Sequence, residues 1–192
     1  MKKYLLLPFL LALFSCQSES LRVLKLYYQL PSDYFDCPEM GIKDNQKTRL
    51  NAVAESPQSD TYLEFMTPCS DDGWEYLKII KVGDKDFLLH YMDYNSLDEK
   101  NLGVVVYEVD NGSLKKSNTT LFPSFSIVSN VADKSNIGSE IANGNSITSL
   151  DPELRFYPDK NEIDLIPSSM LELDVVLGKF TLEDNSFKFK VN

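Results

Sequence analysis

Residues 74–94 read WEYLKIIKVGDKDFLLHYMDY, and this stretch decides the fold. Two apolar runs rich in β-branched and aromatic residues, 74–82 and 87–94, flank the turn sequence Gly83-Asp84-Lys85-Asp86. Two such runs around a glycine turn predict an antiparallel hairpin. Both runs carry apolar side chains at odd and at even positions, so we expect strands that are covered on both faces.

Similar runs on both sides extend this hairpin into a larger sheet structure. The run 61–66 precedes it, and the run 102–109 follows it and ends in an Asp110-Asn111-Gly112 turn. A further hairpin is expected from the runs 154–157 and 162–166. The sequence therefore predicts strands along most of the chain after residue 60.

The last residues predict a strand at the edge of a sheet. Phe187, Phe189 and Val191 alternate with polar residues, which is typical of a strand with one buried and one wet face. The run 175–182 precedes this strand across Glu183-Asp184-Asn185 and completes a terminal hairpin.

Three segments do not follow the strand pattern clearly. Residues 45–55 (NQKTRLNAVAE) predict a short helix, with Asp44 or Asn45 as its cap. Residues 22–30 are compatible with helix or strand, and their valine and tyrosine content favours a strand. Residues 124–150 are rich in Ser, Asn and Gly and predict a long flexible loop.

These patterns predict a mainly β fold with one short N-terminal helix. The strands would form an antiparallel meander, a sandwich or a half-open barrel. Residues 22–192 are long enough for a single domain with its own core.

The first sixteen residues, MKKYLLLPFLLALFSC, predict export and lipid anchoring. Two lysines, a short apolar run and a small residue before Cys16 are typical of a secretory signal that ends in a lipobox. We expect residues 1–15 to be a signal peptide, Cys16 to carry lipid, and 16–21 to form a tether. Cleavage without lipidation and a buried helix are the alternatives, although the run is too short to span a bilayer. The expected location is the outer membrane, on its periplasmic or cell-surface face.

Net charge limits the partners of the mature protein. Removing residues 1–15 takes away two of the 19 basic residues and none of the 29 acidic residues, so the formal charge changes from −10 to −12. An acidic surface repels phosphate groups. Nucleic acids are therefore not expected partners.

The cysteine count predicts a disulfide bond. If Cys16 carries lipid, then Cys37 and Cys69 are left as a pair in an oxidising compartment. A bond between them would close a loop of about 33 residues and stabilise the fold by roughly 3–4 kcal/mol. The alternative is two free thiols.

Few catalytic arrangements are compatible with the sequence. His90 is the single histidine and lies within an apolar strand, where we expect a residue that is hydrogen-bonded or faces solvent. No HExxH, GxSxG, Walker or GxGxxG motif occurs, so no catalytic residues, metal ligands or cofactors are predicted. A calcium loop beginning at Asp93 fails because Leu97 and Asp98 occupy positions that need a ligand and a glycine.

Three aromatic residues are candidates for stacking on sugar rings, namely Trp74, Tyr91 and Tyr94. Such stacking requires that their side chains share an exposed face. The alternative for each residue is packing in the core of the sheet.

Several short motifs occur in a fixed order along the chain: Leu30-Pro31-Ser32-Asp33-Tyr34-Phe35, Arg49-Leu50, Tyr62-Leu63, Trp74-Glu75-Tyr76-Leu77, Val106-Tyr107-Glu108-Val109 and Leu121-Phe122-Pro123. The closing segments 180–182 and 185–189 are similar to a last hairpin of the pattern W-N-G-x-x-F, with Asp184-Asn185-Ser186 in place of the Asn-Gly turn. With these motifs the chain resembles small exported lipoproteins of Bacteroidetes that have a β-rich domain of unknown function. The resemblance implies a fold and a location, but no activity.

The sequence therefore predicts a non-catalytic binding or accessory module of the cell envelope, with a glycan or a partner protein as ligand. An inhibitor of an envelope-directed hydrolase that offers residues 124–150 is the alternative. A glycoside hydrolase that uses paired carboxylates is a third hypothesis.

The disulfide bond can be tested by mass spectrometry of the purified mature protein. Without reductant, the peptides that carry Cys37 and Cys69 should be linked and two hydrogens lighter than the reduced pair. Complete labelling of both thiols without prior reduction would contradict the bond.

Overall fold

The computed structural model describes residues 21–31, 58–66, 73–93, 97, 99–133, 150–168 and 175–192. These residues form two antiparallel sheets and two α-helices. The helices are α1 (Arg22–Tyr27) and α2 (Phe125–Asp133). The strands of the first sheet, in spatial order, are β1 (Gln58–Ser59), β2 (Tyr62–Met66), β3 (Trp74–Val82), β4 (Lys85–Met92), β5 (Val105–Asp110) and β6 (Ser113–Lys116). Those of the second sheet are β10 (Ser186–Val191), β9 (Gly178–Glu183), β8 (Glu162–Ile166) and β7 (Glu153–Phe156).

The prediction of a mainly β, antiparallel fold is confirmed. Each strand pairs with its neighbour in sequence, so each sheet is a meander. The predicted hairpins are present, with strand ends shifted by a few residues. At the turns Asn111-Gly112 and Asp184-Asn185 all four φ values are positive, between 48° and 78°. Turns of this kind match the right-handed twist of the strands they join.

The first sheet is buried on both faces, as the sequence predicts. On one face, side chains of β3 and β4 such as Ile80 and Leu89 pack with Ile163 and Phe180 of the second sheet. On the other face, Leu77 and Leu88 pack with side chains of α1. The two sheets therefore form a sandwich, and α1 covers the outer face of the first sheet.

Residues 22–27 form a helix, so the preference for a strand there is wrong. The buried residues Val23, Leu26, Tyr27 and Leu30 lie at positions i, i+3, i+4 and i+7, which is the pattern of one helix face. Asp60 fixes the first residues of the helix. Its carboxylate accepts a hydrogen bond of 2.8 Å from the backbone N–H of Arg22, and its carbonyl oxygen accepts one of 2.9 Å from the backbone N–H of Val23. The helical spacing of the buried residues and the hydrogen bonds to Asp60 therefore outweigh the preference of valine and tyrosine for strands.

The loop predicted over residues 124–150 is also wrong in part, because residues 125–133 are helix α2. Val128 and Ala132, four positions apart, are buried against the core. Glu99 accepts hydrogen bonds from the backbone N–H and the hydroxyl of Ser126 at 3.1 Å, which satisfies donors in the first turn. Residues 134–149 and the helix predicted at 45–55 lie outside the described residues.

Strand β7 lies at the edge of the second sheet, and three side chains of the first sheet make polar contacts with its backbone or with the turn just after it. The Tyr91 hydroxyl accepts from the N–H of Leu154 at 3.3 Å. The Tyr62 hydroxyl donates to the carboxylate of Glu64 and lies 3.4 Å from the carbonyl oxygen of Phe156. We call this set, completed by Lys78, the edge clamp.

Lys78 makes the third contact of the edge clamp, just beyond the end of β7. Its ammonium donates to the carbonyl oxygens of Tyr157 and Lys160 in the turn that leads into β8. The Lys78 nitrogen also lies 5.7 Å from the centre of the Tyr62 ring. The side chain is only 4% exposed, and burial lowers the pKa of its amine, while the nearby Asp159 opposes this effect.

Loss of the Lys78 amine should destabilise the sandwich. Lys78→Met keeps most of the side-chain volume but leaves two carbonyl groups without their donor, and we expect a loss of about 1–3 kcal/mol of unfolding free energy. Urea denaturation measures this loss.

Lys81→Met is the matched control, because Lys81 lies on the same strand and is exposed. Surface changes of this kind are expected to stay within about 0.5 kcal/mol. Equal stability of the two variants would show that Lys78 does not hold the second sheet.

Candidate functional site

A group of partly exposed aromatic and acidic side chains lies where β2 ends and β3 begins. Trp74 is paired in register with Met66, and Tyr76 with Glu64, so all four side chains lie on the same face of the sheet. Trp74 and Tyr76 are partly exposed, and Met66 is 49% exposed. We call these four residues, together with Asp93, the aromatic rim.

Asp93 fixes the start of β3 at the aromatic rim. Its carboxylate accepts a hydrogen bond of 2.6 Å from the backbone N–H of Trp74, and its own N–H donates to the Trp74 carbonyl at 3.1 Å. The backbone that carries the indole ring is therefore held from two sides.

Tyr76 is the best-packed member of the aromatic rim. Its ring stacks on Phe156 of the second sheet, with centroids 5.6 Å apart, and on Tyr91, at 6.2 Å. Because Phe156 belongs to the strand that the edge clamp holds, the position of Tyr76 depends on the docking of the two sheets. The contacts with Phe156 and Tyr91 thus hold the exposed part of the Tyr76 ring in a fixed position.

The electrostatic surroundings of Tyr76 are acidic. Burial raises the pKa of its hydroxyl, and the carboxylates of Asp93, Glu64 and Glu153 raise it further, whereas Arg155 lowers it. The hydroxyl therefore stays protonated at neutral pH. The site offers aromatic surface, one phenolic donor and several carboxylate acceptors, which is a combination that suits a ligand rich in hydroxyl or amino groups.

The three candidate stacking residues end up in different places. Trp74 belongs to the aromatic rim, in agreement with the requirement for exposure. Tyr91 is 1% exposed and packs between Tyr76 and Phe156, so its ring is core and unavailable to a sugar. Tyr94 lies outside the described residues, as do Cys16, Cys37 and Cys69.

Tyr76 is the residue that the sequence reasoning missed. A signal was available, because Trp74 and Tyr76 are two positions apart on one strand and must share a face. The packing of its ring against the edge of the second sheet, however, depends on β7, which lies about 80 residues further along the chain.

His90 lies on the opposite face of the first sheet from the aromatic rim. Its Nε2 atom lies 2.7 Å from a carboxylate oxygen of Glu75, and both side chains have no solvent exposure. The prediction that His90 is a hydrogen-bonded strand residue is confirmed. By register it lies on the sheet face that α1 covers, where a ligand at the aromatic rim does not reach it.

Among the residues that the structure describes, no group of three or more His, Cys, Asp or Glu residues is arranged to hold a metal ion. No helix among the same residues is long and apolar enough to cross a membrane.

Comparisons with family models, with curated proteins and with solved structures yield no match.

Proposed function

We propose that this chain is a lipid-anchored protein of the bacterial cell envelope and acts as a non-catalytic binding module for a glycan. The observation that carries the proposal is the aromatic rim, where Trp74 and Tyr76 are partly exposed on a rigid sheet beside carboxylates. The signal sequence that ends at Cys16 supports the anchor.

A glycan fits the aromatic rim for chemical reasons. Sugar rings present C–H groups that pack on aromatic faces, and their hydroxyl groups donate hydrogen bonds to carboxylates. Glu64 lies directly opposite Tyr76 across the β2–β3 pair, so an acceptor stands next to the ring. The absence of an accessible histidine is compatible with binding without turnover, because His90 is buried.

A second candidate function, inhibition of an envelope-directed hydrolase, is supported by one observation on helix α2. Ile127 is 56% exposed and Val131 is 43% exposed, and they lie four positions apart on the same side of the helix. Exposed apolar side chains of this kind suit contact with a protein. The glycan hypothesis has more support, because the aromatic rim combines apolar and polar groups at one place.

The single tryptophan gives a direct test of the glycan hypothesis. Trp74 is the only tryptophan in the chain, so fluorescence excited at wavelengths that tyrosine does not absorb reports on the aromatic rim alone. Titration of the mature protein with soluble peptidoglycan fragments or with neutral polysaccharides should change this fluorescence. Tyr76→Ala should weaken binding by about tenfold or more, which corresponds to roughly 1.4 kcal/mol.

Tyr28→Ala is the matched control for this titration. Tyr28 is a 45% exposed tyrosine that follows α1, on the opposite side of the first sheet, and its removal should leave the affinity unchanged. Equal weakening by both variants would contradict the role of the aromatic rim. Turnover of the glycan that is lost in Glu64→Gln would support the hydrolase instead.

The anchor is tested by fractionation of cells. The wild-type protein should be found in the membrane fraction with the mass of an acylated Cys16, while Cys16→Ala should be recovered without acyl chains in the soluble fraction. Membrane retention that does not change in Cys16→Ala would contradict the lipid anchor.

A further inference from the structure

We infer that the lipid anchor holds the sandwich with the start of α1 towards the bilayer and with the aromatic rim directed away from it. This inference rests on the proposed anchor at Cys16. Five residues, 17–21, separate that cysteine from Arg22, the first residue of α1. A fully extended chain spans at most about 3.6 Å per residue, so the start of α1 lies within roughly 20 Å of the acylated cysteine whatever the shape of the tether.

The start of α1 is fixed at one end of the first sheet. The Arg22 guanidinium forms an ion pair of 2.6 Å with Asp86, and Asp86 lies opposite Lys81 beside the β3–β4 turn. The β5–β6 turn is at the same end, since Asp86 is paired with Val109. The tether therefore reaches the sheet at the end that carries these hairpin turns, which we call the turn end.

The aromatic rim lies at the other end of the same strands. Trp74 is the first residue of β3 and Val82 is the last. Asp86, the ion-pair partner of Arg22, is opposite Lys81, so seven residues of extended strand, about 23 Å, separate the level of that contact from Trp74. This separation is about the full reach of the extended tether.

The aromatic rim also lies on the other face of the sheet. Trp74 and Tyr76 lie on the face that packs against the second sheet, whereas α1 covers the opposite face. If the sandwich stands on its turn end, the rim points away from the bilayer. If it instead lies on the side of α1, the rim still points away, because the sheet separates the two. Tilting between these positions does not bring the rim to the lipid.

Charge and side-chain chemistry favour the same orientation. At the turn end, Asp86 and Glu108 are paired with Arg22 and Lys85, both at 2.6 Å. Among the described residues, the surroundings of Tyr76 hold the carboxylates of Asp93, Glu64 and Glu153 and the guanidinium of Arg155, and anionic headgroups repel such a surface. Tyr28, just after α1, is 45% exposed, and tyrosine is a residue that membrane interfaces favour.

The orientation can be measured with tryptophan fluorescence in vesicles. The acylated protein is reconstituted into phosphatidylcholine vesicles that contain a phosphatidylcholine with a nitroxide on its headgroup. One sample carries the native Trp74, and the other carries Trp74→Phe together with Tyr28→Trp. For each, the fluorescence lost to the nitroxide lipid is divided by the fluorescence lost to acrylamide in the buffer, which corrects for partial burial.

We expect the corrected loss to be larger for the tryptophan moved to position 28 than for native Trp74. A loss at Trp74 that equals or exceeds the other would overturn the orientation. Trp74→Phe with Asp84→Trp is a second probe, because Asp84 is exposed in the β3–β4 turn and tolerates a change if the first variant folds poorly. It should behave like the first probe.

Two controls separate this inference from the anchor itself. Flotation of the protein with the vesicles and the mass of its acyl chains report on the anchor, and failure of both overturns the anchor and the orientation together. A protein that floats but shows stronger loss at Trp74 overturns the orientation alone. A long Gly/Ser insertion between Ser20 and Leu21 should reduce the loss at position 28, and an unchanged loss would show that the short tether does not set the orientation.

Discussion

Strand β7 ends the second sheet, and the outward backbone groups of such a strand need hydrogen-bond partners when they are covered. In this protein Tyr62 and Tyr91 reach that backbone from the first sheet, and Lys78 reaches the turn just beyond β7. Close packing of apolar side chains holds the two sheets together. The edge clamp adds directional polar contacts at β7 and at the turn that follows it. The cost of burying the Lys78 amine is offset by two carbonyl partners.

The candidate site depends on this docking. Phe156 reaches Tyr76 because β7 lies against the first sheet, and the carboxylate of Glu153 comes near the same ring from that strand. Trp74 and Glu64 come from the first sheet, so the surface is assembled from both halves of the sandwich. A binding surface of this kind is rigid before a ligand arrives, which lowers the entropy that binding costs.

Much of the local structure could be read from the sequence, and the failures have identifiable causes. The hairpins were predictable because alternating side chains and turn residues such as Asn111-Gly112 act over a few positions. Composition was misleading at residues 22–27, where the spacing of Val23, Leu26 and Tyr27 indicates a helix. At residues 125–133 the helical spacing of Val128 and Ala132 was outweighed by the Ser, Asn and Gly content of the longer segment 124–150. Tyr91 has the side chain of a stacking residue, and only the packing of the two sheets shows that its ring is buried.

The sequence by itself determined the strand-rich character of the chain and the positions of its tight turns, because both depend on residues close together in the chain. It also predicts an export signal in its first sixteen residues. The tertiary structure alone decided which aromatic residues are exposed and which are core. It also decided the partners of two buried charged side chains, Lys78 and Glu75, since Lys78 meets the Tyr157 carbonyl 79 positions away and Glu75 meets His90 15 positions away. Contacts of this kind depend on how whole sheets pack, and no local pattern records them.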